Sequence, residues 1–591
     1  PGHGADDYDT GIKHGLPIYN PVDDMGRFVP EVEHFAGMSV WDANAAIIDR
    51  LRQDGKLLHS EEYQHSYPHC WRCKNPILFR ATNQWFISMD ETGLRRRALE
   101  AIRQVQWIPP WGEERISSMI ANRPDWCVSR QRAWGTPIAV FSCVGCGAPL
   151  AEPNLIEHVA SLMEREGADV WFARPAKDLM PQGTRCKKCG GEELVKETDI
   201  LDVWFESGVS QAAVLRVRPD QRWPAEMYLE GSDQHRGWFH SSLLAAVGVQ
   251  GGAPYRAVLT HGFVVDGEGR KMSKSLGNVI APQEVIEKYG AEVLRLWVAA
   301  EDYRDDIRLS DEILTRLAEG YRRIRNTCRY LLGNLYDFDP AADAMRVDEL
   351  LPIDRFILHR LQQLTERVRK AYEDYEFHVL YHGLHNFCAV DLSAFYLDVL
   401  KDRVYTSGRA SRLRRSAQTA MYELLVSLVK LMAPVLSFTA DEVWRHIPGP
   451  EKPLSVHLTK FPQVRADLVD DALAQEWERL LVVRDQVLKA LETARKDRLI
   501  GSAQEAAVDV QVAGEAYEFL APRRETLEMI CIVSRLTVAR SEVAEPALRV
   551  HVERALGRKC QRCWNYRESV GASAAHPEVC ARCVGVLLEM Q

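Results

Sequence analysis

The chain has 591 residues, 46% of them hydrophobic and 27% charged, with a formal net charge of −9. This length exceeds one core and calls for roughly three to five domains, while the composition is that of an ordinary globular protein. No apolar run is long enough to span a membrane and none resembles a secretory signal, so no membrane partner is expected. The negative charge argues against general polyanion binding, and any nucleic-acid contact has to come from local basic patches or shape. Ten of the fourteen cysteines form five Cys-x-x-Cys pairs. Without a secretory signal that spacing indicates zinc rather than disulfides, and a reducing, cytoplasmic location.

The first stretch, PGHGADDYDTGIKHGLPIYNPVDDMGRF, is rich in Gly, Asp and Pro and predicts loops with short elements. His3, Asp6 and Asp7 can form a polar pocket or an Asx-capped turn. The chain begins at Pro1, without methionine, in what looks like a domain interior, so a fragment of a longer protein is expected. Residues 38–58 predict a helix with Val40, Trp41, Ala45, Ile47, Ile48 and Leu51 as its apolar face. Cys70 and Cys73 have zinc-knuckle spacing but only two ligands, and metal there is left open. Cys143 and Cys146, with Cys186 and Cys189, predict one closed four-cysteine ribbon, the alternative being free thiols. Between the pairs, RPDWCVSRQRAWG interleaves Trp126, Arg130, Arg132 and Trp134, which suits a phosphate or a terminal RNA base, or a Trp core with solvated arginines.

DILDVWFESG and YLEGSDQHRGWF each put polar residues at the end of a strand-like run. Glu230, Asp233, Gln234 and His235 supply acceptors and donors for a ribose, an α-amino group and a carboxylate. They equally suit a helix N-terminus with solvent-facing side chains. AVLTHGFVV predicts a strand with Leu259, Phe263, Val264 and Val265 as its apolar part, and PQEVIEKYGAEVLRLWVAA predicts a helix begun by Pro282. Between them lies DGEGRKMSKSLGN. Lys271 and Lys274 there stand on a glycine-flanked loop at a strand end, where open α/β sheets bind ligands, and lysine is a compact charge suited to phosphate. There is no Walker A string. From about 312 long amphipathic segments predict a helical bundle. Its first segment is amphipathic and basic, with Arg322, Arg323, Arg325 and Arg329, and the later cluster of Arg409, Arg412, Arg414 and Arg415 is either solvated surface or a set of phosphate contacts. Residues 505–548 alternate like a small α/β or β-rich module. Cys560, Cys563, Cys580 and Cys583 give C-x2-C-x16-C-x2-C, a structural-zinc spacing.

The DGEGRKMSKSLGN string resembles the signature loop of class I aminoacyl-tRNA synthetases. GSDQHRGWF together with DVWF-x-SG is similar to the isoleucyl branch more than to valyl or leucyl relatives, and the terminal CxRCW…CxRC resembles the ribbon of bacterial members. LMAPVLSFTADEVW resembles their anticodon-binding domain, and the GHGADD string their editing domain. The resemblance implies a multidomain α/β plus α fold. Its parts would be a remnant of the editing domain (1–65), the second part of a Rossmann-type catalytic domain (66–311) with a zinc-ribbon insertion at about 140–195, a helical anticodon-binding domain (312–470), a junction module (471–548) and a zinc ribbon (549–591).

In function it implies ATP-dependent attachment of L-isoleucine to tRNA-Ile, with Mg²⁺ accompanying ATP and Zn²⁺ in the ribbons, by a cytoplasmic monomer. Lys271 and Lys274 would stabilise the transition state and departing pyrophosphate. Glu230, Gly231, Asp233, Gln234, His261 and Lys274 would line the ATP and adenylate site, Trp204 the amino-acid pocket, and Asp7 would hold the amino group of a mischarged ester. Glu206 departs from the family, which more often has Asp. The family's His-x-Gly-His string has no counterpart here, and this chain alone is expected to make no adenylate. A valyl synthetase, or a non-enzymatic zinc-ribbon module binding tRNA, is the alternative.

Overall fold

A computed structural model describes residues 1–449, 452–541 and 548–590, in two compact units, Pro1–Thr260 and His261–Gln591. In the first unit, residues 1–82 bury little apolar surface. Helices Ala5–Lys13 and Ala43–Gln53 are joined by turns, and Val22 and Ala43 are its only buried hydrophobics among the described residues. The helix expected over 38–58 is therefore shorter. Ser39 accepts from the Trp41 and Ala43 amides in a turn that leaves Trp41 exposed.

The core of this unit is built on the helix Trp238–Gln250, whose residues Phe239–Val247 are all buried. A helix buried all round needs no amphipathic pattern. Strand Tyr255–His261 packs beside it. It lies between Gln106–Ile108, which it pairs in parallel, and Ala225–Gly231. Parallel pairing requires a crossover connection, as an α/β catalytic fold supplies. Residues Ser129–Arg130 and Ile200–Leu201 pair antiparallel. The chain between them thus leaves and returns at one neck. It forms its own small core from Phe141, Leu155, Val159, Trp171 and Leu194 around the cysteines, with helix Pro153–Glu166.

In the second unit two sequence expectations change. The strand expected across AVLTHGFVV breaks after His261, and Val264–Asp266 pairs instead with Ile307–Leu309. Gly262 makes the break: its amide donates to the Tyr303 carbonyl, and a Cβ there would sit 2.3 Å from the Asp305 carbonyl oxygen. Phe263 is consequently exposed. The single helix expected after Pro282 is two, Pro282–Tyr289 and Ala291–Ala300, separated by Gly290 at φ +88°, a backbone region glycine enters without steric cost.

A helical bundle follows: Asp311–Gly333, Pro352–Glu373, Phe377–Asn386, a π-helical Phe387–Tyr396, Leu397–Thr406, Arg412–Met432, Ser437–His446 and Asp471–Lys496. Its interior carries a charged knot. The fully buried Asp354 accepts from Tyr396 (2.7 Å), Ser416 and both terminal nitrogens of Arg403 (2.6 and 3.1 Å).

The last module is a three-stranded sheet with Ala506–Val512 in the centre, Arg535–Arg540 parallel and Leu548–Arg554 antiparallel to it. Within this stretch Ile530 and Cys531 end helix Arg524–Cys531, closed by Ile532 at φ +59°, and the strand begins only at Arg535. The terminal ribbon is tied to this sheet by Tyr566 N–H on Ser534 Oγ (2.6 Å) and to the bundle by Arg582 on Asp402 (2.6 and 2.7 Å).

Candidate functional site

The lysine loop is organised by two residues that the sequence reading passed over. Asp266 Oδ1 accepts from the amides of Glu268 (3.1 Å) and Arg270 (2.8 Å), and its Oδ2 from Asn278 Nδ2 (3.0 Å) and Arg270 Nε (2.9 Å). Asn278 returns across the loop, its Oδ1 accepting from the Ser273 amide (2.9 Å). The Asn278 bond, the Arg270 amide and the Arg270 guanidinium hold the Asp266 carboxyl at about 2. Gly269, at φ +83°, allows the tight turn. Met272 packs against the core, whereas Lys271 and Lys274 are exposed. The loop therefore presents two ammonium groups from a closed frame. The signals for it were the D-G-x-G turn and the Asn after Gly277.

His261 is half-buried, with Nδ1 2.7 Å from the Gly262 carbonyl oxygen.

In the first unit, Glu230 ends strand Ala225–Gly231 exposed, its Oε2 accepting from the Gly231 amide (3.0 Å). Gln234 takes the helix-terminus role weighed above: its Oε1 accepts from the Trp238 amide (2.9 Å), while its Nε2 donates to Asp233 (3.1 Å). His235 is fully buried between Trp107, Trp111 and Phe239, and burial lowers its pKa. Trp204 is 45% exposed and lies against Gly237, where a Cβ would stand 2.8 Å from the indole. Asp202 positions it by capping its helix. Glu206 has a partner that explains its reach: Oε1 accepts from the Thr136 amide (3.2 Å).

Asp6 and Asp7 stand exposed in the first turn of helix Ala5–Lys13, where the helix dipole favours acids. His3 is engaged elsewhere, by the Phe79 carbonyl (2.9 Å).

Both expected cysteine quartets form. Cys143, Cys146, Cys186 and Cys189 have sulfurs within 4.8 Å of one another, as do Cys560, Cys563, Cys580 and Cys583. Four sulfurs at that spacing suit tetrahedral Zn²⁺. Backbone N–H groups bring the Cys186 thiol down to about 7. At Cys560 burial pushes upward, but the amides of Cys563, Cys580 and Arg562 outweigh it and leave the thiol at about 6. Four Cys-x-x-Cys turns share one backbone pattern, in which the residue after the second cysteine donates to the first cysteine's carbonyl. The donors are Lys74, Gly147, Gly190 and Trp564, at 2.7–2.8 Å and all at positive φ. Cys70 and Cys73 thus adopt the knuckle without a second pair in reach among the described residues.

The basic run of the bundle divides. Arg414 is buried and paired with Asp337 (2.9 Å), Arg415 with Asp343 (3.1 Å), and Arg412 donates to the Glu349 carbonyl (2.9 Å). These arginines hold the bundle together. Arg322, Arg323, Arg325 and Arg329, on helix Asp311–Gly333, are exposed and have no ion pair among the described residues.

Three family descriptions match the chain: class I tRNA synthetases (I, L, M and V) over residues 24–310, the anticodon-binding domain of tRNA ligase over 354–512, and the zinc finger found in FPG and IleRS over 557–585. An isoleucine--tRNA ligase of Syntrophotalea carbinolica is 57% identical over 597 residues, covering 100% of this chain and 64% of its own. Those of Geobacter sulfurreducens (56%, covering 99% and 64%) and Moorella thermoacetica (53%, covering 100% and 64%) are similar. The chain spans 64% of the length of these curated relatives.

Proposed function

Because the chain belongs to the class I aminoacyl-tRNA synthetases, in their isoleucine--tRNA ligase branch, we propose that it serves the ATP-dependent attachment of isoleucine to tRNA-Ile. The isoleucine carboxylate attacks the α-phosphate of ATP, pyrophosphate leaves, and a hydroxyl of the terminal tRNA ribose then takes the acyl group and releases AMP. No side-chain nucleophile is needed, and the protein supplies position and charge. Lys271 and Lys274 stabilise the negative charge that moves onto pyrophosphate, and Mg²⁺ brought with ATP would neutralise phosphate charge there. Glu230, Gly231, Asp233, Gln234 and His261 serve the adenylate, and Trp204 the amino-acid side chain. Asp7 holds the amino group of a mischarged ester in the editing reaction. The observation that carries this reading is the lysine loop, whose frame is fixed by Asp266 and Asn278 while both ammonium groups stay free.

No helix among the described residues is long and apolar enough to cross a membrane, in keeping with a cytoplasmic enzyme, which we take to act as a monomer. Two titrations test the reading. A non-hydrolysable ATP analogue should bind and lose affinity on Lys274→Ala, and tRNA-Ile should bind more tightly than tRNA-Val in zinc-containing buffer. Analogue binding indifferent to Lys274, with no preference between the tRNAs, would refute it.

A further inference from the structure

The string LMAPVLSFTADEVW holds a corner of the bundle, residues 433–436, between helices Arg412–Met432 and Ser437–His446. Helix ends leave orphan carbonyls and amides. Here both sets are met by one neighbouring helix, Ala291–Ala300. Arg295 donates to the carbonyls of Pro434 (2.7 Å) and Val435 (2.9 Å) and to Ser437 Oγ (3.1 Å). Glu292, 9% exposed, accepts from the amides of Phe438 (3.3 Å) and Thr439 (3.1 Å). The signs match the helix dipoles, a cation where one helix ends and an anion where the next begins. Leu436, at the N-cap of Ser437–His446, offers no side-chain acceptor, so Glu292 serves as the cap of that helix. Three residues apart, Glu292 and Arg295 stand on one face and grip the corner from both sides.

This grip closes a ring of contacts within the second unit. From Ala291–Ala300 the Trp297 indole donates to the Arg308 carbonyl (3.1 Å), in strand Ile307–Leu309. That strand pairs with Val264–Asp266, placing Leu309 opposite Asp266, the residue that frames the lysine loop. On the other side, Ser310 caps helix Asp311–Gly333, and Tyr321 on that helix meets Thr439 Oγ at 2.8 Å. Tyr321 immediately precedes Arg322, the first of the exposed arginine row. The lysine loop and the arginine row are therefore joined twice, once along the chain through Ser310 and once through Thr439, Glu292 and Trp297. The first connection alone would let the long helix pivot about Ser310. Val293, Leu296 and Trp297 share a core with Leu314 and Leu317, but such contact is non-directional. The hydrogen-bonded side of the ring fixes the angle.

We propose, resting on the synthetase reading, that Glu292 and Arg295 are positioning residues that couple RNA docked on the arginine row to the lysine loop, so that tRNA-Ile and ATP each tighten the binding of the other. Neither side chain touches a substrate in this scheme. They act through Trp297, the strand pair and Asp266, which set where Lys271 and Lys274 stand. Coupling between two binding sites is reciprocal and typically amounts to about 5–150-fold in affinity.

Calorimetric titration of the chain with a non-hydrolysable ATP analogue, with and without saturating tRNA-Ile, tests it. The expected result is analogue binding tightened about fivefold or more by tRNA-Ile, and tRNA-Ile binding tightened equally by the analogue. Arg295→Ala should abolish that factor while leaving the affinity for each ligand alone unchanged. Arg295 is exposed, so its variant leaves the core intact. Glu292→Gln turns an amide N–H₂ toward one of the two backbone donors and should act in the same direction. A merely structural role would lower the melting temperature without touching the factor, as Arg414→Gln is expected to do. No factor in the native chain, or a factor unchanged in both variants, would overturn the proposal. Analogue binding that depends on Lys274 and a preference for tRNA-Ile, with the two ligands indifferent to each other, would leave the synthetase reading standing and remove this one.

Discussion

Asp266 spends both carboxylate oxygens inside one loop, on two amides, one guanidinium and the Asn278 amide group. Its folded pKa of about 2 lies below the ordinary carboxylate value of about 4. By linkage, the stabilisation is fully present above that ordinary value and is lost as pH falls toward 2. The loop should therefore stay closed at every pH used for aminoacylation assays. Asp266→Asn should open it at neutral pH, which limited trypsin digestion would report as faster cleavage after Lys271 and Lys274, with the far-ultraviolet dichroism unchanged. In the bundle, removing one member of the Asp354–Arg403 pair leaves the other charge buried and unpaired. Asp354→Ala should cost about 3–5 kcal/mol and lower the calorimetric transition of that unit. At this scale the sequence disclosed chemistry better than wiring. The eight quartet cysteines were legible because their type and spacing state what they bind, and the glycine-flanked string made the exposed loop of Lys271 and Lys274 legible as a loop. Asp266, Asn278 and Asp354 were not, because their partners come from folding rather than from a local string.

Elements are set here as much by single glycines as by periodicity. The apolar patterns of 257–265 and 282–300 gave the right element types, yet Gly262 and Gly290 cut each in two. Nothing in the pattern reveals that the backbone of residues 303–305 presses on Gly262, since that is a tertiary fact. The cysteine turns are the opposite case, in which spacing alone predicts geometry. Two quartets predict two zinc ions per chain, released stoichiometrically by a thiol-blocking mercurial and counted with a colorimetric chelator. Cys143→Ala and Cys560→Ala should each remove one. Loss of the terminal ion should also loosen the ribbon from Ser534 and Asp402, because so small an element has little core beyond its cysteines. Increased amide exchange at 558–590, with the 143–189 ribbon still protected, would report it.

Across the whole molecule, charge distribution decides how an acidic chain can hold a polyanion. The chain carries 83 acidic against 74 basic residues, and in the bundle Arg414 and Arg415 are met by carboxylates. An exposed row suited to phosphate lies on Asp311–Gly333, where Arg322, Arg325 and Arg329 are spaced three and four residues apart and so share one helix face. Each phosphate neutralised contributes about 0.9 to the slope of log K against log salt concentration for a duplex. Replacing Arg322 or Arg325 by Gln should weaken tRNA binding and reduce that slope by about one, leaving thermal stability unchanged. Arg414→Gln should do the reverse. It would strand Asp337 in the core and lower the unfolding temperature, and any loss of tRNA affinity would come without a change of slope, because that guanidinium is already neutralised by protein. Measuring slope and melting temperature together separates the two classes of arginine, which a bare count of basic residues merges.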